Sequence, residues 1–210
     1  MSLRQYTFAL IFLFFGAQTV SAQFGIGLTF NNDIYHRFTN PKVTEDDAYR
    51  SAGSAILNFA IGPKIWVGGN NVSLSVEGLA GIGVLGFAVK DYKGMGTSYF
   101  PIMAKLNFNG LSALDKEGRV GFFVGGGIQY SRTELYGLRD SYAVEGTTRS
   151  LFPTYVAQVG CGFGISGFAL AGTLKYGWNK ETKANIMALG MQWDFNAPML
   201  KKIANPASAL

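Results

Sequence analysis

The sequence predicts an all-β fold, an eight-stranded antiparallel up-and-down transmembrane β-barrel. Three observations predict it. The N-terminus is an apolar leader, eight later segments alternate large apolar residues with small or polar ones, and the connections alternate between short and long. The composition agrees, because the chain has 28 glycines, 17 phenylalanines and 10 tyrosines but only 15% charged residues. After the leader, no apolar run reaches the ~20 residues that a membrane-spanning helix needs.

Residues 1–22 have the pattern of a secretory signal peptide. Arg4 provides a basic start, an apolar run follows at residues 6–15, and the segment Val20-Ser21-Ala22 resembles a signal-peptidase site. We expect cleavage after Ala22 and export in a Gram-negative bacterium. Residues 23–195 are then expected to form the outer-membrane barrel, and residues 196–210 a periplasmic tail.

The first four predicted strands carry an apolar side chain at every second position. A period of two is the pattern of a strand with one apolar face, and no helical period fits it. Ile56 interrupts the second strand, and beyond Gly78 the third becomes ambiguous because glycine and aliphatic residues fill both faces. The predicted outward residues are Phe24, Ile26, Leu28 and Phe30; Ala55, Leu57, Phe59 and Ile61; Val72, Leu74 and Val76; and Phe100, Ile102, Ala104, Leu106 and Phe108.

The last four predicted strands follow the same rule. Their opposite faces are mostly Gly, Ala, Ser and Thr, which suit the narrow interior of a small barrel. A soluble β-sandwich would instead carry more polar residues on its outside. The predicted outward residues are Val120, Phe122, Val124, Ile128 and Tyr130; Tyr155, Ala157, Val159, Cys161, Phe163 and Ile165; Phe168, Leu170, Leu174, Tyr176 and Trp178; and Met187, Leu189, Met191, Trp193 and Phe195.

The connections differ at the two ends of the predicted barrel. Short or medium turns are expected at residues 68–71, 110–118 and 166–167, and longer polar loops at residues 33–52, 90–98 and 133–150, with a shorter one at 179–184. Short periplasmic turns and long outer loops are typical of bacterial barrels. This asymmetry predicts that both termini lie in the periplasm.

Charge and cysteine content exclude several kinds of site. The net charge is +5, with basic residues scattered rather than clustered, which argues against nucleic-acid binding. Cys161 is the only cysteine, so neither an internal disulfide nor a cysteine-rich metal site can form. No cofactor is expected. The expected partners are the lipid bilayer, lipopolysaccharide and other outer-membrane or periplasmic proteins.

Four charged residues are predicted to point into the barrel. Glu77 would lie between the strands that carry Lys64 and Lys105, and Lys175 would join them. Because a buried charge must be paired, we expect an ion-pair cluster that plugs the lumen. An eight-stranded barrel is only just wide enough for side chains, which disfavours a general porin.

A lone histidine raises an enzymatic alternative. His36 is predicted to lie in the first outer loop with Asp33 nearby, and serines follow at Ser51 and Ser54. A histidine base with an oriented nucleophile could modify lipid at the outer rim. A solvated loop histidine is the simpler interpretation. The GxGxxG matches at residues 81–86 and 162–167 are not followed by a helical pattern, as a dinucleotide site would require.

Two strands resemble a known family. The segment Phe100-Pro101-Ile102-Met103-Ala104-Lys105 is similar to a strand of the PorT-like outer-membrane β-barrels of Bacteroidota, and Gly121-Phe122-Phe123-Val124-Gly125-Gly126-Gly127 resembles that family's next, glycine-rich strand. A mature start at Gln23 is also similar to exported proteins of that phylum. The resemblance implies a small eight-stranded barrel, a role beside protein secretion or envelope assembly, and no catalytic residues.

The tail supports one functional hypothesis over two others. We expect a non-enzymatic barrel that serves as a structural or accessory subunit of an envelope or secretion assembly. The alternatives are a stand-alone surface barrel that binds external partners through its outer loops, and a lipid-modifying enzyme that uses His36. The tail is either disordered or a periplasmic docking peptide, whose docking residues would be Met199, Leu200, Lys201, Lys202 and Ile203.

Overall fold

The computed structural model describes residues 23–42, 52–69, 71–88, 95–112, 118–136, 150–165 and 168–197. The predicted signal peptide and the docking residues of the tail, Met199, Leu200, Lys201, Lys202 and Ile203, lie outside these ranges. Within them, no helix is long and apolar enough to cross a membrane. The described chain forms nine strands: β1 (Gln23–Thr39), β2 (Ala52–Gly68), β3 (Val72–Gly78), β4 (Ala80–Ala88), β5 (Met95–Asn109), β6 (Val120–Tyr136), β7 (Phe152–Ile165), β8 (Phe168–Trp178) and β9 (Asn185–Asn196).

The strands form one closed antiparallel ring. Each of β5 to β8 pairs with the strand that follows it, β9 pairs with β1, and β1 pairs with β2. Both β3 and β4 pair with β2 on one side and β5 on the other, so they lie end to end and occupy one position. The ring therefore has eight positions, and the predicted eight-stranded antiparallel barrel is confirmed.

The barrel is polar inside and apolar outside. Buried side chains alternate with exposed ones along each strand, and the exposed face holds the large apolar residues. In the described ranges, buried polar and charged residues outnumber buried large apolar ones. The buried polar and charged residues include Thr29, Asn31, Asp33, His36, Asn58, Lys64, Ser73, Ser75, Glu77, Lys105, Asn107, Gln129, Gln158, Thr173, Lys175, Gln192 and Asp194.

The first strand is longer than predicted, and its alternation changes phase. The first loop was expected at residues 33–52, but its predicted start is wrong because β1 continues to Thr39. Its register with β9 shifts between Asp33 and Tyr35, where Ile34 is an extra residue. Ile34 and Tyr35 are both exposed, so Asp33 and His36 both face the interior. A bulge that inserts one residue reverses which positions face inward, and strict alternation missed it.

The neighbouring strands change phase at the same level. In β2, Ile56 and Leu57 are both exposed, and Leu57 has a left-handed φ of 56°. In β4, Val84 and Leu85 are both exposed. Tyr35 pairs with Ile56, which in turn pairs with Leu85, so the three irregularities form one row across the sheet. As a consequence, Ala55 is buried, and its predicted outward position is wrong.

The two ends of the barrel differ in the length of their connections. One end, called the turn end, has the connections at residues 69–71, 110–119 and 166–167. The start of β1 and the end of β9 lie at the same end. The other end, the loop end, carries residues 40–51, 89–94, 137–151 and 179–184. Two further loops are shorter than predicted, because β5 begins at Met95 and β6 continues to Tyr136.

Candidate functional site

The candidate site is the polar interior, whose turn half contains a network of buried charges. Lys64 Nζ lies 2.6 Å from Asp194 Oδ2, and Lys105 forms an ion pair with Glu77. Gln192 joins the two pairs: its Oε1 accepts from Lys105 Nζ at 2.6 Å, and its Nε2 donates to Glu77 at 3.3 Å and to Asp194 at 3.0 Å. These five residues are called the turn-side cluster. It spans strands β2, β3, β5 and β9.

Strand register explains how these side chains meet. Lys64 pairs across strands with Glu77, and Lys105 lies two residues after Met103, the cross-strand partner of Glu77. To contact Asp194 on β9, the Lys64 side chain on β2 must extend past β1, which lies between the two strands. The cross-strand neighbour of Lys64 on β1 is Gly27. Since a glycine has no side chain, the lysine can cross β1 unobstructed. Lys105 also has a glycine neighbour, Gly125 on β6, which leaves space beside the lysine stem.

A second ion pair lies nearer the loop end. Lys175 Nζ lies 3.0 Å from Asp33 Oδ2, and Asn31 Nδ2 donates to the other oxygen of Asp33 at 2.8 Å. The ammonium group also lies 5.2 Å from the ring centroid of Tyr99. The Asp33–Lys175 contact is called the loop-side pair. It joins β1 to β8 across the neighbouring strand β9.

The charges of the two groups balance. Lys64, Lys105 and Lys175 are each within 4 Å of a carboxylate, and all are at most 3% exposed. An isolated buried ion costs several kcal/mol even after the protein relaxes, so pairing is required for the fold to be stable. Asp194 also accepts from Thr29 Oγ1 at 2.7 Å, which satisfies a further lone pair. The interior is thus locally neutral at both groups.

Apolar layers enclose the charged groups. On the turn side, the layer consists of Leu111, Phe123, Ala169 and Ala171, and Lys105 Nζ lies 4.5 Å from the Phe123 ring centroid. On the loop side, the layer consists of Phe38, Met103, Val156 and Ile186. His36 connects that layer to the loop-side pair, since its ring lies edge-on to Phe38 and Tyr99 at 6.2 and 5.9 Å. The charges are therefore packed between two apolar layers.

A further contact crosses the lumen at the loop end. Thr133 Oγ1 donates to Asn40 Oδ1 at 2.6 Å, which joins the end of β1 to β6. These strands are not neighbours in the ring. The Asn40 side chain therefore reaches a strand on another side of the barrel, and Asn40 and Pro41 are both buried.

The structure divides the four charged residues predicted from the sequence into two groups. Lys64, Glu77 and Lys105 lie together in the turn-side cluster. The prediction that Lys175 joins them is wrong, because the inward Lys175 contacts Asp33 instead. Sequence reasoning missed Asp194, although the alternation of β9 had put it on the inward face. It missed Asp33 because the predicted loop began there.

His36 is not the solvated loop residue predicted from the sequence. It is buried among aromatic rings, and neither imidazole nitrogen has a hydrogen-bond partner in the described part of the chain. Ser54, proposed beside it, lies near the Tyr35 hydroxyl on the outer side of β2. Ser51 is outside the described residues. No group of three or more His, Cys, Asp or Glu residues in the described ranges could hold a metal ion.

Comparisons with known proteins give structural likeness alone. No protein-family model and no curated protein matches the chain. Neisserial surface protein A is 12% identical with a TM-score of 0.46, covering 83% of this chain and 98% of that one. The N-terminal β-barrel domain of Pseudomonas aeruginosa OprF is 11% identical with a TM-score of 0.42, covering 82% and 100%. Ail, the attachment invasion locus protein of Yersinia pestis, is 9% identical with a TM-score of 0.43, covering 82% and 98%. At these values the likeness assigns no function to this chain.

Proposed function

We propose that this chain is an outer-membrane β-barrel that acts as a scaffold rather than as a pore or an enzyme. The observation that carries the proposal is the inverted burial pattern: charged groups are inside and large apolar side chains are exposed. An apolar surface that surrounds a protein is stable in lipid and not in water. A closed ring also leaves no strand edge unpaired, as a bilayer requires.

Aromatic residues at both ends of the outer wall support membrane embedding. Near the loop end the exposed aromatics are mostly tyrosines, and near the turn end they are phenylalanines. Such girdles are typical of the two interfaces of a bilayer, with aliphatic side chains between them. Among the seven strands that each fill one position of the ring alone, β8 is the shortest, with 11 residues. That length suffices for a tilted crossing of about 9–11 residues. The exposed girdle residues include Tyr35, Tyr130, Tyr155, Tyr176 and Trp178 near the loop end, and Phe24, Phe122 and Phe163 near the turn end.

The filled interior supports a role that depends on the surfaces of the barrel. The charges are paired and enclosed between two apolar layers, which argues against ion conduction. His36 is buried among aromatic rings, away from the wall that lipid would contact, which argues against the lipid-modifying alternative. The role we propose is a structural or accessory subunit of an envelope or secretion assembly. The resemblance to PorT-like barrels supports the same role.

The long connections at one end support the proposed orientation. Short turns and both ends of the barrel chain lie at the turn end, which we assign to the periplasm. The connections at residues 40–51 and 137–151 would then face outward. They carry the remaining alternative, a stand-alone surface barrel that binds external partners.

Purification from the native outer membrane tests the subunit role. The tagged protein would be extracted in mild detergent, and its mass and composition measured. We expect a stoichiometric partner that is lost when residues 198–210 are deleted. The partner should be kept when a scrambled sequence is inserted before the native tail. A monomer in every preparation would contradict the subunit role and favour the surface-barrel alternative.

A further inference from the structure

Asn32 places a polar side chain on the apolar outer wall. Its neighbours along β1, Asn31 and Asp33, are buried in the interior, whereas Asn32 is half-exposed on the opposite face of the strand. The cross-strand partners of Asn32 are apolar on both sides, Phe59 on β2 and Met191 on β9. The wall of β9, β1 and β2 therefore carries a primary amide among large apolar side chains.

The position of Asn32 along β1 places this amide at the depth of the hydrocarbon. Asn32 follows the girdle residue Phe24 by eight residues and precedes the girdle residue Tyr35 by three. With about 3.3 Å per residue and a strand tilt of about 40°, it lies about 20 Å from the level of Phe24 and about 7 Å from that of Tyr35. The apolar band of such a barrel is about 25 Å tall, so Asn32 lies within it.

The oxygen of this amide has no hydrogen-bond partner in the described ranges. Asn32 Oδ1 is buried against the wall, and no donor of the described chain reaches it. Lipid tails offer neither donors nor acceptors, so an amide at this depth costs free energy unless another protein group pairs with it. The terminal torsion of an asparagine is soft, so either polar atom of the amide can turn toward a partner. The amide therefore suits a contact with protein better than a contact with lipid.

The wall beside Asn32 has room for a second protein surface. Met191 is half-exposed, and its cross-strand partner on the far side from Asn32 is Gly172, which is exposed. A Cβ added at Gly172 would have only the Cys161 carbonyl oxygen within 4 Å, at 3.9 Å. Small residues on a lipid-facing surface allow two membrane proteins to approach closely. An approaching barrel would therefore meet little obstruction on the β8 side of Asn32.

We infer that Asn32 lies at the centre of an interface between two copies of this chain, side by side in the membrane. Two barrels inserted in the same orientation are related by a twofold axis along the membrane normal. A residue on that axis faces its own copy at the same depth. An asparagine suits this position, because each amide donates one hydrogen bond to the other and accepts one from it. This inference rests on the proposed function, because an amide on the wall is removed from water only in a membrane.

Energy transfer between labelled copies measures this association. The full-length mature protein with Cys161→Ser and Lys180→Cys has one thiol, in the exposed turn between β8 and β9. Donor-labelled and acceptor-labelled copies would be inserted together into phosphatidylcholine vesicles over a range of protein-to-lipid ratios. We expect saturable energy transfer. A side-chain hydrogen bond in a membrane contributes about threefold, so adding Asn32→Leu, which removes two, should weaken dimerisation about tenfold. Leucine is apolar, so this variant should insert as well as its parent.

Cross-linking in native outer membranes locates the interface. Phe30 lies two residues before Asn32 on the same outer face, so Phe30→Cys with Cys161→Ser should give a dimer with a short bis-maleimide. Adding Asn32→Leu should reduce the yield. Ile128→Cys with Cys161→Ser is the matched control: Ile128 is also half-exposed, lies two residues from the girdle residue Tyr130, and is on β6, four positions from β1 in the ring. It should give no dimer.

The outcomes separate the inference from the proposed function. Inserted monomers at every protein-to-lipid ratio would overturn the inference and leave the proposed function standing. Equal dimerisation with and without Asn32→Leu, or equal cross-linking at Phe30→Cys and Ile128→Cys, would also overturn the inference. Cross-linking of the Phe30→Cys variant to a different protein would overturn the assignment of the partner as a second copy. Failure to insert into vesicles would overturn the proposed function itself.

Discussion

At the scale of single residues, two of the buried lysines lie beside cross-strand glycines. Lys64 lies beside Gly27, and Lys105 lies beside Gly125. A Cβ at Gly125 would lie 2.5 Å from Lys105 Cγ and 2.7 Å from the Ala104 carbonyl oxygen. Glycine there leaves room for the lysine stem. Other inward glycines make room for rings instead: a Cβ at Gly81 would lie 2.5 Å from the Tyr99 ring.

Adjacent glycines on β6 test this explanation. Gly125→Ala should lower the free energy of unfolding by about 1–3 kcal/mol, because overpacking displaces Lys105 from Glu77. Gly126→Ala is the matched control, since its Cβ would face outward with the Val156 carbonyl oxygen as nearest neighbour at 3.5 Å. Urea unfolding in lipid vesicles, followed by electrophoretic mobility, measures both. Equal destabilisation by the two variants would contradict the explanation.

The Lys105–Glu77 pair gives a second prediction at this scale. Lys105→Met leaves Glu77 buried without its cation, and should lower the free energy of unfolding by about 3–5 kcal/mol. The double variant Lys105→Met, Glu77→Gln should recover part of the loss, because it removes both charges. Exposed Lys180→Met, the control, should change stability by no more than about 0.5 kcal/mol. The same unfolding assay applies, and a neutral Lys105→Met variant would show that the pair does not hold the interior together.

At the scale of elements, the row of bulges decides what the loop half of the barrel contains. Ile34, Leu57 and the Val84–Leu85 step each place two consecutive residues outward. Beyond that row, inward positions on β1 pass from odd-numbered to even-numbered residues. The bulge in β1 is what turns His36 and Phe38 inward, where Phe38 joins the loop-side apolar layer. A regular strand would expose both residues and place Arg37 in the interior.

Single-residue deletions in β1 test the role of the bulge. Deleting Ile34 removes the extra residue and keeps every other side chain on its present face, so folding should be largely retained. Deleting Phe30 instead reverses the faces of residues 23–29, which sends Phe24, Ile26 and Leu28 inward, and should abolish folding. The fraction of heat-modifiable, membrane-inserted protein measures both outcomes. Similar folding of the two deletion variants would be inconsistent with this role.

At the scale of the whole molecule, the position of polar and apolar groups is the reverse of that in a water-soluble protein. Each of the eight strand positions exposes at least one Ile, Leu, Val or Phe, while three lysines lie inside. This arrangement is stable only if the wall is removed from water. The interior, by contrast, is held by hydrogen bonds and ion pairs that cross the lumen.

Cys161 offers a direct test of membrane embedding. It is exposed on β7 between the girdle residues Tyr155 and Phe163, with Val159 and Phe163 exposed on either side of it. In native membranes it should react with a lipid-soluble maleimide and resist a charged one, because the charged reagent does not enter the hydrocarbon core. A Cys161→Ser, Lys180→Cys variant, with its thiol at the loop end, should react with both. Rapid labelling of Cys161 by the charged reagent in intact membranes would falsify the embedding.

The sequence by itself determined the barrel, because alternation of apolar and small residues is a local property that each strand carries in its own residues. It also determined that Lys64, Glu77 and Lys105 face inward, since each lies in a regular stretch. Only the tertiary structure decided which charges meet: Asp194 and Asp33 reach their lysines across a strand, and register between distant strands is not written in local periodicity. The same holds for His36, because a bulge changes the phase of β1 through pairing with β9, and the interruption at Ile56 of β2 did not reveal which residues of β1 it would turn inward.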